Sequence, residues 1–377
     1  MNAKKQEVNF FSISNRKIKK LLEINRELAF FQSISALFSW DQYTYMPKGA
    51  GDARAELIGT AEGLIHKCIT SKTLGKLLDD LESENLQNFT DYDKALIRIF
   101  RRIYNRNIKV PKKLAVEIAE ATSKGQEIWE KARAESNFSL FKDALERIVN
   151  LKFQEAKYVG YENDPYALFL DDFEPGMTTD MLDSVFKIVK RATIGILKKF
   201  GDFSQGINQN ILKRSVDKEK LADFSLQILK AMGFDFKFGR QDESAHPFTT
   251  SFDTTDVRIT TRYGEQFLTS SIFSSMHEGG HALYEQGAHS YFGRTLIAWN
   301  KSLVVHESQS RLWENSVGRS KEFWFFWYKM LAASFPEAGF KPTDEKEFIL
   351  AINKIQPNLI RMDSDEVTYN LHIILRY

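Results

Sequence analysis

For roughly the first 235 residues the apolar positions repeat with the period of an α-helix. Between Ile18 and Phe38 they fall at Leu21, Ile24, Leu28, Phe31 and Phe38, broken only at Ser35. The Pro and Gly of the stretch Trp40–Asp52 predict a break, with a helix following to about Lys67. Ser71 opens a short helix, and Asp91 or Asp93 can cap the next. Pro111 suits a first helical turn before a long segment to about Ala134, and Ser139 to Gly160 reads as a further helix. The stretch YENDPYALFLDDFEPGM, with Pro165, Pro175 and Gly176, reads as a loop. Helices then run from Thr178 or Thr179 to Lys199 and from Ser215 to Gly233.

From Phe234 to Arg262 the grammar changes. Phe, Thr and Asp dominate, and DVRITTRY alternates as a strand does, so a small antiparallel sheet is expected here. Helical periodicity returns from Gln266 to Gly287, from about Ser302 to Val317, through KEFWFFWYKMLAASF, and from Thr343 to Ile355. The expectation is a mainly α protein, a single helical body over 1–377 that can be two-lobed, at about 1–235 and 236–377. The last segment, from about Asp363, stops at Tyr377 inside an apolar helical run, EVTYNLHIILRY, which reads as a C-terminal truncation.

Composition narrows the class. The 377 residues are 43% apolar and 27% charged, enough to bury a sizeable core, and 30 Phe imply aromatic packing between helices. A net charge of +2 gives no argument for nucleic acid or an anionic membrane. One cysteine, Cys68, excludes an internal disulfide and fits a reducing compartment, with a structural thiol the plainer reading. No apolar run approaches a membrane span and the N-terminus carries no secretory pattern, so a cytoplasmic location is expected.

The chemistry sits in the Gln266–Gly287 helix. His277 and His281 are four residues apart, on one face, and Glu278 is turned about 100° from the first. This H-E-x-x-H spacing lets both imidazoles reach one metal while the glutamate addresses its water. Chance alone gives the string about one time in a hundred, and a satisfied pair of core histidines is the plain alternative. Gly279 and Gly280 each cost a helix roughly 1 kcal/mol relative to Ala, so a neighbour must approach closely there. A catalytic site needs a third donor. Glu307, 26 residues beyond His281 and flanked by Leu303 and Val304, is the candidate. Ser310 and Arg311 share its face and can hold its second oxygen; a surface pair of Glu307 with Arg311 is the bland reading. Two imidazoles and a carboxylate suit one Zn²⁺, with Co²⁺ or Mn²⁺ as substitutes. Such a site, with Glu278 as general base and acid, hydrolyses amide bonds.

The order H-P-F (His246–Phe248), D-x-R-x-T (Asp256, Arg258, Thr260), HEGGH, H-E-S-x-S-R (His306–Arg311) and I-R-x-x-S-D (Ile360–Asp365) resembles the M32 metallocarboxypeptidases, the family of carboxypeptidase Taq. SWDQYTYMP and FEPGM add to the likeness. The resemblance implies an exopeptidase acting on peptides with a free C-terminus, a helical fold with a deep groove, and often a homodimer. It makes His277, His281 and Glu307 the metal ligands and Glu278 the acid/base. Arg361 becomes the grip for the substrate carboxylate, which a guanidinium suits; its alternative is a pair with Asp365. His246 is a contact for the oxyanion or peptide backbone, or a turn histidine without a role. Arg258 joins the substrate group, although with Asp256 it is better suited to bracing the site. His306 is a substrate contact or a donor behind the metal ligands. Ser364 stands where the family has Ala, and the family's further G-x-x-Q-D-x-H-W motif does not occur in this chain. A metallo-endopeptidase or oligopeptidase with the same ligands, or a catalytically impaired metal-binding fragment, are the competing readings.

Overall fold

The computed structural model describes residues 15–264, 268–288, 294–299, 301–361 and 364–377, with the Leu86 side chain left out. Gln266, at the expected start of the metal helix, and Gly293, His289, Met362 and Asp363 lie outside the described residues.

The helices are α1 (Arg16–Thr44), α2 (Gly51–Ile69), α3 (Lys72–Glu82), α4 (Asp91–Asn107), α5 (Lys112–Ala134), α6 (Ser139–Val159), α7 (Pro165–Phe173), α8 (Thr179–Gln205) and α9 (Lys218–Met232). Strands β1 (Gly239–Glu243), β2 (Thr249–Asp253) and β3 (Asp256–Thr261) follow. Then come α10 (Leu268–Gln286), α11 (Leu296–Trp299), α12 (Leu303–Arg311), α13 (Lys321–Ser334), α14 (Glu345–Ile352) and α15 (Tyr369–Arg376). The protein is therefore mainly helical with one small sheet.

Local chemistry explains most boundaries. Thr90 and Asp93 form a capping box for α4, and Ser71 accepts from Leu74 N at the start of α3. Gly160 and Gly233 end α6 and α9 at φ 103° and 101°, where a side chain would be strained. Two of the expected breaks fail. The helix that should break at Trp40 continues to Thr44, because the first Pro comes only at position 47. The expected loop 161–177 contains α7, for which Asp164 accepts from Ala167 N and Pro165 takes the first turn, where its missing N–H costs nothing.

The chain divides into two compact units. The first holds α1 as far as Gln42, α2 to α6, and α11. Leu21 and Leu28 of α1, Leu74 and Leu78 of α3, and Leu96 and Phe100 of α4 make its core. Cys68 is half-buried here and burial pushes its thiol up to about 11, which leaves it without thiolate character at neutral pH. The second unit holds the last residues of α1, α7 to α10, the sheet, and α12 to α15. The boundary expected near residue 235 falls inside this unit.

The core of the second unit bears out the aromatic reading. Phe224 of α9 meets Trp327 of α13 edge-on at 5.6 Å, and Trp324 meets Phe348 of α14 at 4.5 Å. Ile272, Phe273 and Met276 of α10 pack into that cluster. On another side, Ala282 of α10 joins Val257 and Ile259 of β3. The helix carrying the histidines is thus buried on more than one face.

The sheet is mixed, not antiparallel: its order is β1-β3-β2, with β1–β3 parallel and β2–β3 antiparallel. The five residues 244–248, Pro247 among them, link β1 to β2 without pairing the two strands with each other. They fold around Thr260, whose hydroxyl oxygen lies 2.7 Å from Ser244 Oγ and accepts from Phe248 N at 3.0 Å. That leaves β3, the strand with most buried positions, in the centre.

Candidate metal centre and active site

The two glycines of α10 mark helix crossings. A Cβ on Gly280 would lie 2.6 Å from the Gln309 carbonyl oxygen and 2.7 Å from Ser310 Cα, both backbone atoms of α12. On Gly279 it would meet Leu229 Cδ2 at 2.5 Å and Met232 Cε at 3.0 Å, on α9. Close approach at Gly280 sets the second helix against the first, and Glu307 of α12 consequently faces the α10 histidines. Its Oε2 is 3.3 Å from His281 Nε2 and 3.8 Å from His277 Nε2.

These three side chains form the group whose donor atoms lie within 4.8 Å of one another. Donors at about 2.0–2.2 Å around a tetrahedral ion stand about 3.3–3.6 Å apart; the His281–Glu307 separation falls in that range and the His277–Glu307 separation lies just beyond it. The Glu307 side chain is 46% exposed against 19% and 15% for His277 and His281, leaving an open side from which substrate can approach.

The outer ring nitrogens are engaged as metal-binding imidazoles require. His277 Nδ1 is 2.8 Å from Glu314 Oε2. Glu314 reaches it from a π-helical turn, Leu312–Val317, in which Gly318 N bonds to Trp313 O. A wide turn of this kind shifts the side chains that follow α12 relative to an α-helix. His281 Nδ1 is 2.5 Å from His306 Nδ1, and His306 Nε2 is 2.7 Å from Glu285 Oε1. Glu285 Oε2 in turn accepts from Lys301 Nζ at 2.7 Å.

Burial alone would lower the His277 pKa, but the hydrogen bond to Glu314 and the carboxylates of Glu278 and Glu307 more than offset it and hold the ring above its ordinary value. Glu307 is the converse case: desolvation pushes its carboxyl up, and His281, His277 and Arg311 together carry it below the usual range. Glu278 is 6% exposed, and desolvation leaves its pKa raised despite the two histidines. Thr249 of β2 donates to Glu278 Oε2 at 2.6 Å and fixes the carboxylate's direction.

The other expected residues are placed as follows. Arg258 chelates Asp256 through Nε and Nη2 at 2.9 and 3.0 Å and lies over the Phe252 ring. His246 is exposed in the β1–β2 connection, and its carbonyl accepts from Ser244 Oγ. Arg361 does not take Asp365 as its partner. Its Nη1 donates to Tyr369 Oη at 2.6 Å, while Asp365 caps Val367 and Thr368. Ser310 and Arg311 do not hold the second oxygen of Glu307. Ser310 Oγ is fully buried and donates to the Glu307 carbonyl, and Arg311 reaches Glu314 and Glu366. The reason is that the Glu307 side chain turns to the histidines, away from its own i+3 and i+4 neighbours. His306 has both ring nitrogens engaged inside the protein, so it stands behind the donor set and not in the substrate group.

Sequence reasoning missed Glu314, Glu285, Lys301 and Thr249. Two had a signal: Glu285 continues the 277–281 stripe by four residues, and Glu314 lies seven beyond Glu307. Thr249 and Lys301 had none, because a strand and a loop bring them in.

Fold and donor set together place the chain among the helical metallopeptidases. Residues 20–377 match the family model of carboxypeptidase Taq (M32) metallopeptidase. The chain is 36% identical over 359 residues to Carboxypeptidase 1 of Bacillus subtilis (strain 168), covering 95% of itself and 71% of that protein. It is 38% identical over 368 residues to Thermostable carboxypeptidase 1 of Thermus thermophilus, covering 95% and 72%. The solved structure named BsuCP superposes with a TM-score of 0.91 at 35% identity, over 96% of this chain and 73% of that one. The chain belongs to the M32 family and is a metallocarboxypeptidase. Among the described residues no helix is long and apolar enough to cross a membrane.

Proposed function

We propose that the protein is a zinc-dependent carboxypeptidase, cytoplasmic and homodimeric, that releases C-terminal amino acids from peptides with Glu278 as general base and acid. The observation that carries this is the buried Glu278 carboxylate, aimed by Thr249 beside three donor atoms spaced for one ion. His277, His281 and Glu307 hold the metal. When bound, it polarises the scissile carbonyl and lowers the pKa of a water toward neutrality. Glu278 accepts the proton of the attacking water and delivers it to the leaving amine. Burial, by raising the pKa of Glu278, brings it closer to the range where one group both takes and gives a proton. Arg361, presented by Tyr369, grips the substrate's terminal carboxylate, with His246 as a backbone contact.

The test is release of the C-terminal residue from a short N-blocked peptide after reconstitution with zinc, cobalt or manganese. Glu278→Gln should lower kcat at least about a hundredfold, as loss of a general base does, with zinc still bound. C-terminal amidation should abolish cleavage. Equal turnover by Glu278→Gln would refute the mechanism, and cleavage of the amidated peptide would make the enzyme an endopeptidase.

A further inference from the structure

The two imidazoles are backed differently. His277 donates straight to a carboxylate, whereas His281 meets a second imidazole. A hydrogen bond between two Nδ1 atoms 2.5 Å apart holds a single proton, and its position matters. With the proton on His281 Nδ1, the Nε2 lone pair of His281 faces Glu307 and is free for a metal. With the proton on His306 Nδ1, a neutral His281 must carry its own proton on Nε2 and cannot coordinate.

What decides is the far end of the chain. His306 Nε2 lies 2.7 Å from Glu285 Oε1, an acceptor with no proton of its own when ionised. Glu285 is only 14% exposed, and its other oxygen takes Lys301 Nζ at 2.7 Å. Although desolvation opposes ionisation, His306 and Lys301 overcome it and hold the Glu285 carboxyl below its usual range. Lys301 is itself seated over the Tyr284 ring, 5.2 Å from its centre, and the same ring meets His306 edge-on at 5.1 Å. Four side chains on α10, α12 and the segment before α12 therefore form one hydrogen-bonded line, with Tyr284 packed beside it.

We propose that Glu285, neutralised by Lys301, is a positioning residue that acts through His306. It draws the His306 proton onto Nε2, leaves His306 Nδ1 bare to accept, and so holds His281 in the tautomer that binds metal. Because Lys301 cancels the carboxylate's charge, the line orients His281 without adding net negative charge to the centre. This rests on the reading of His281 as a ligand.

The experiment uses the full chain labelled with ¹⁵N-histidine, with zinc as the probe. In the zinc-loaded wild type, His281 should show a protonated Nδ1 and a zinc-shifted Nε2, while His306 shows a bare Nδ1 and a protonated Nε2. Glu285→Gln keeps the shape and removes the charge. It should weaken zinc about 10–100-fold in chelator competition, the usual cost of losing such a partner, and shift or broaden both N–H resonances. A doubly protonated His306 overturns the proposal, as does a Glu285→Gln protein whose zinc affinity stays within twofold of wild type. Zinc binding that leaves the His281 shifts unchanged overturns the ligand assignment and the proposal with it. The wild-type spectrum keeps the test decisive even where the variant does not fold.

Discussion

Gly280→Ala adds one methyl group where α10 and α12 touch backbone to backbone. The new carbon would sit 2.6 Å from the Gln309 oxygen, against about 3.4 Å for ordinary contact, so the helices must part by about 0.8 Å. Those neighbours are main-chain atoms and cannot rotate aside. Two energies compete in the metal-free protein. Ala in place of Gly favours the helix by about 1 kcal/mol, and overpacking costs about 1–3 kcal/mol. The net is a loss of about 0–2 kcal/mol, too small to be diagnostic by itself. Zinc affinity is more sensitive, because Glu307 moves with α12 while both histidines stay on α10. A shift of 0.8 Å is large beside metal–ligand bonds of about 2 Å. The expected result is zinc affinity weakened at least tenfold in chelator competition, with the zinc-induced rise in melting temperature reduced to match. Gly279→Ala is the control: its methyl meets the ends of Leu229 and Met232, which can move, so affinity should stay within about threefold. A Gly280→Ala protein that melts higher and binds zinc like wild type, or a Gly279→Ala protein that binds it more weakly than Gly280→Ala does, would contradict this account of the helix crossing.

Thr249→Val removes the donor that lowers the Glu278 pKa, so the acid limb of kcat/KM against pH should move upward, with kcat down about tenfold; an unmoved limb would break the link. The raised pKa of metal-free His277 means a proton competes with the metal up to higher pH, so zinc affinity should climb as pH rises from acid through neutrality. Isothermal titration in buffers of different ionisation enthalpy should register the released proton, and a flat profile would contradict this. Glu314→Gln removes the carboxylate behind His277 and should weaken zinc about 10–100-fold at the pH of tightest binding. Arg361→Met should raise KM for free-carboxylate peptides at least tenfold with a smaller change in kcat, whereas a pure kcat effect would remove Arg361 from substrate binding.

Much of the donor set is legible in the order of residues. His277 and His281 lie on one face because four residues make about one helical turn, whatever the helix packs against. Glu307 follows 26 residues beyond His281 as the third donor that such a site requires, and the glycine pair announces a close neighbour without naming it. The competing surface pair of Glu307 with Arg311 loses because Arg311 is drawn to Glu314 and Glu366. Asp164-Pro165 does carry the signal for α7, which the nearby Pro175 and Gly176 obscure.

Other features depend on which elements pack together. The parallel pairing of β1 with β3, the reach of Thr249 to Glu278, and the lines Glu314–His277 and Lys301–Glu285–His306–His281 join residues from separate elements. Helical periodicity is decided within a few residues by backbone hydrogen bonds, so the spacing His277, His281 and the face of Glu278 belong to the sequence alone. Which oxygen meets which nitrogen depends on how α10, α12 and the sheet settle against one another. That is a balance of burial and close contact summed over the whole second unit, and only the folded chain evaluates it.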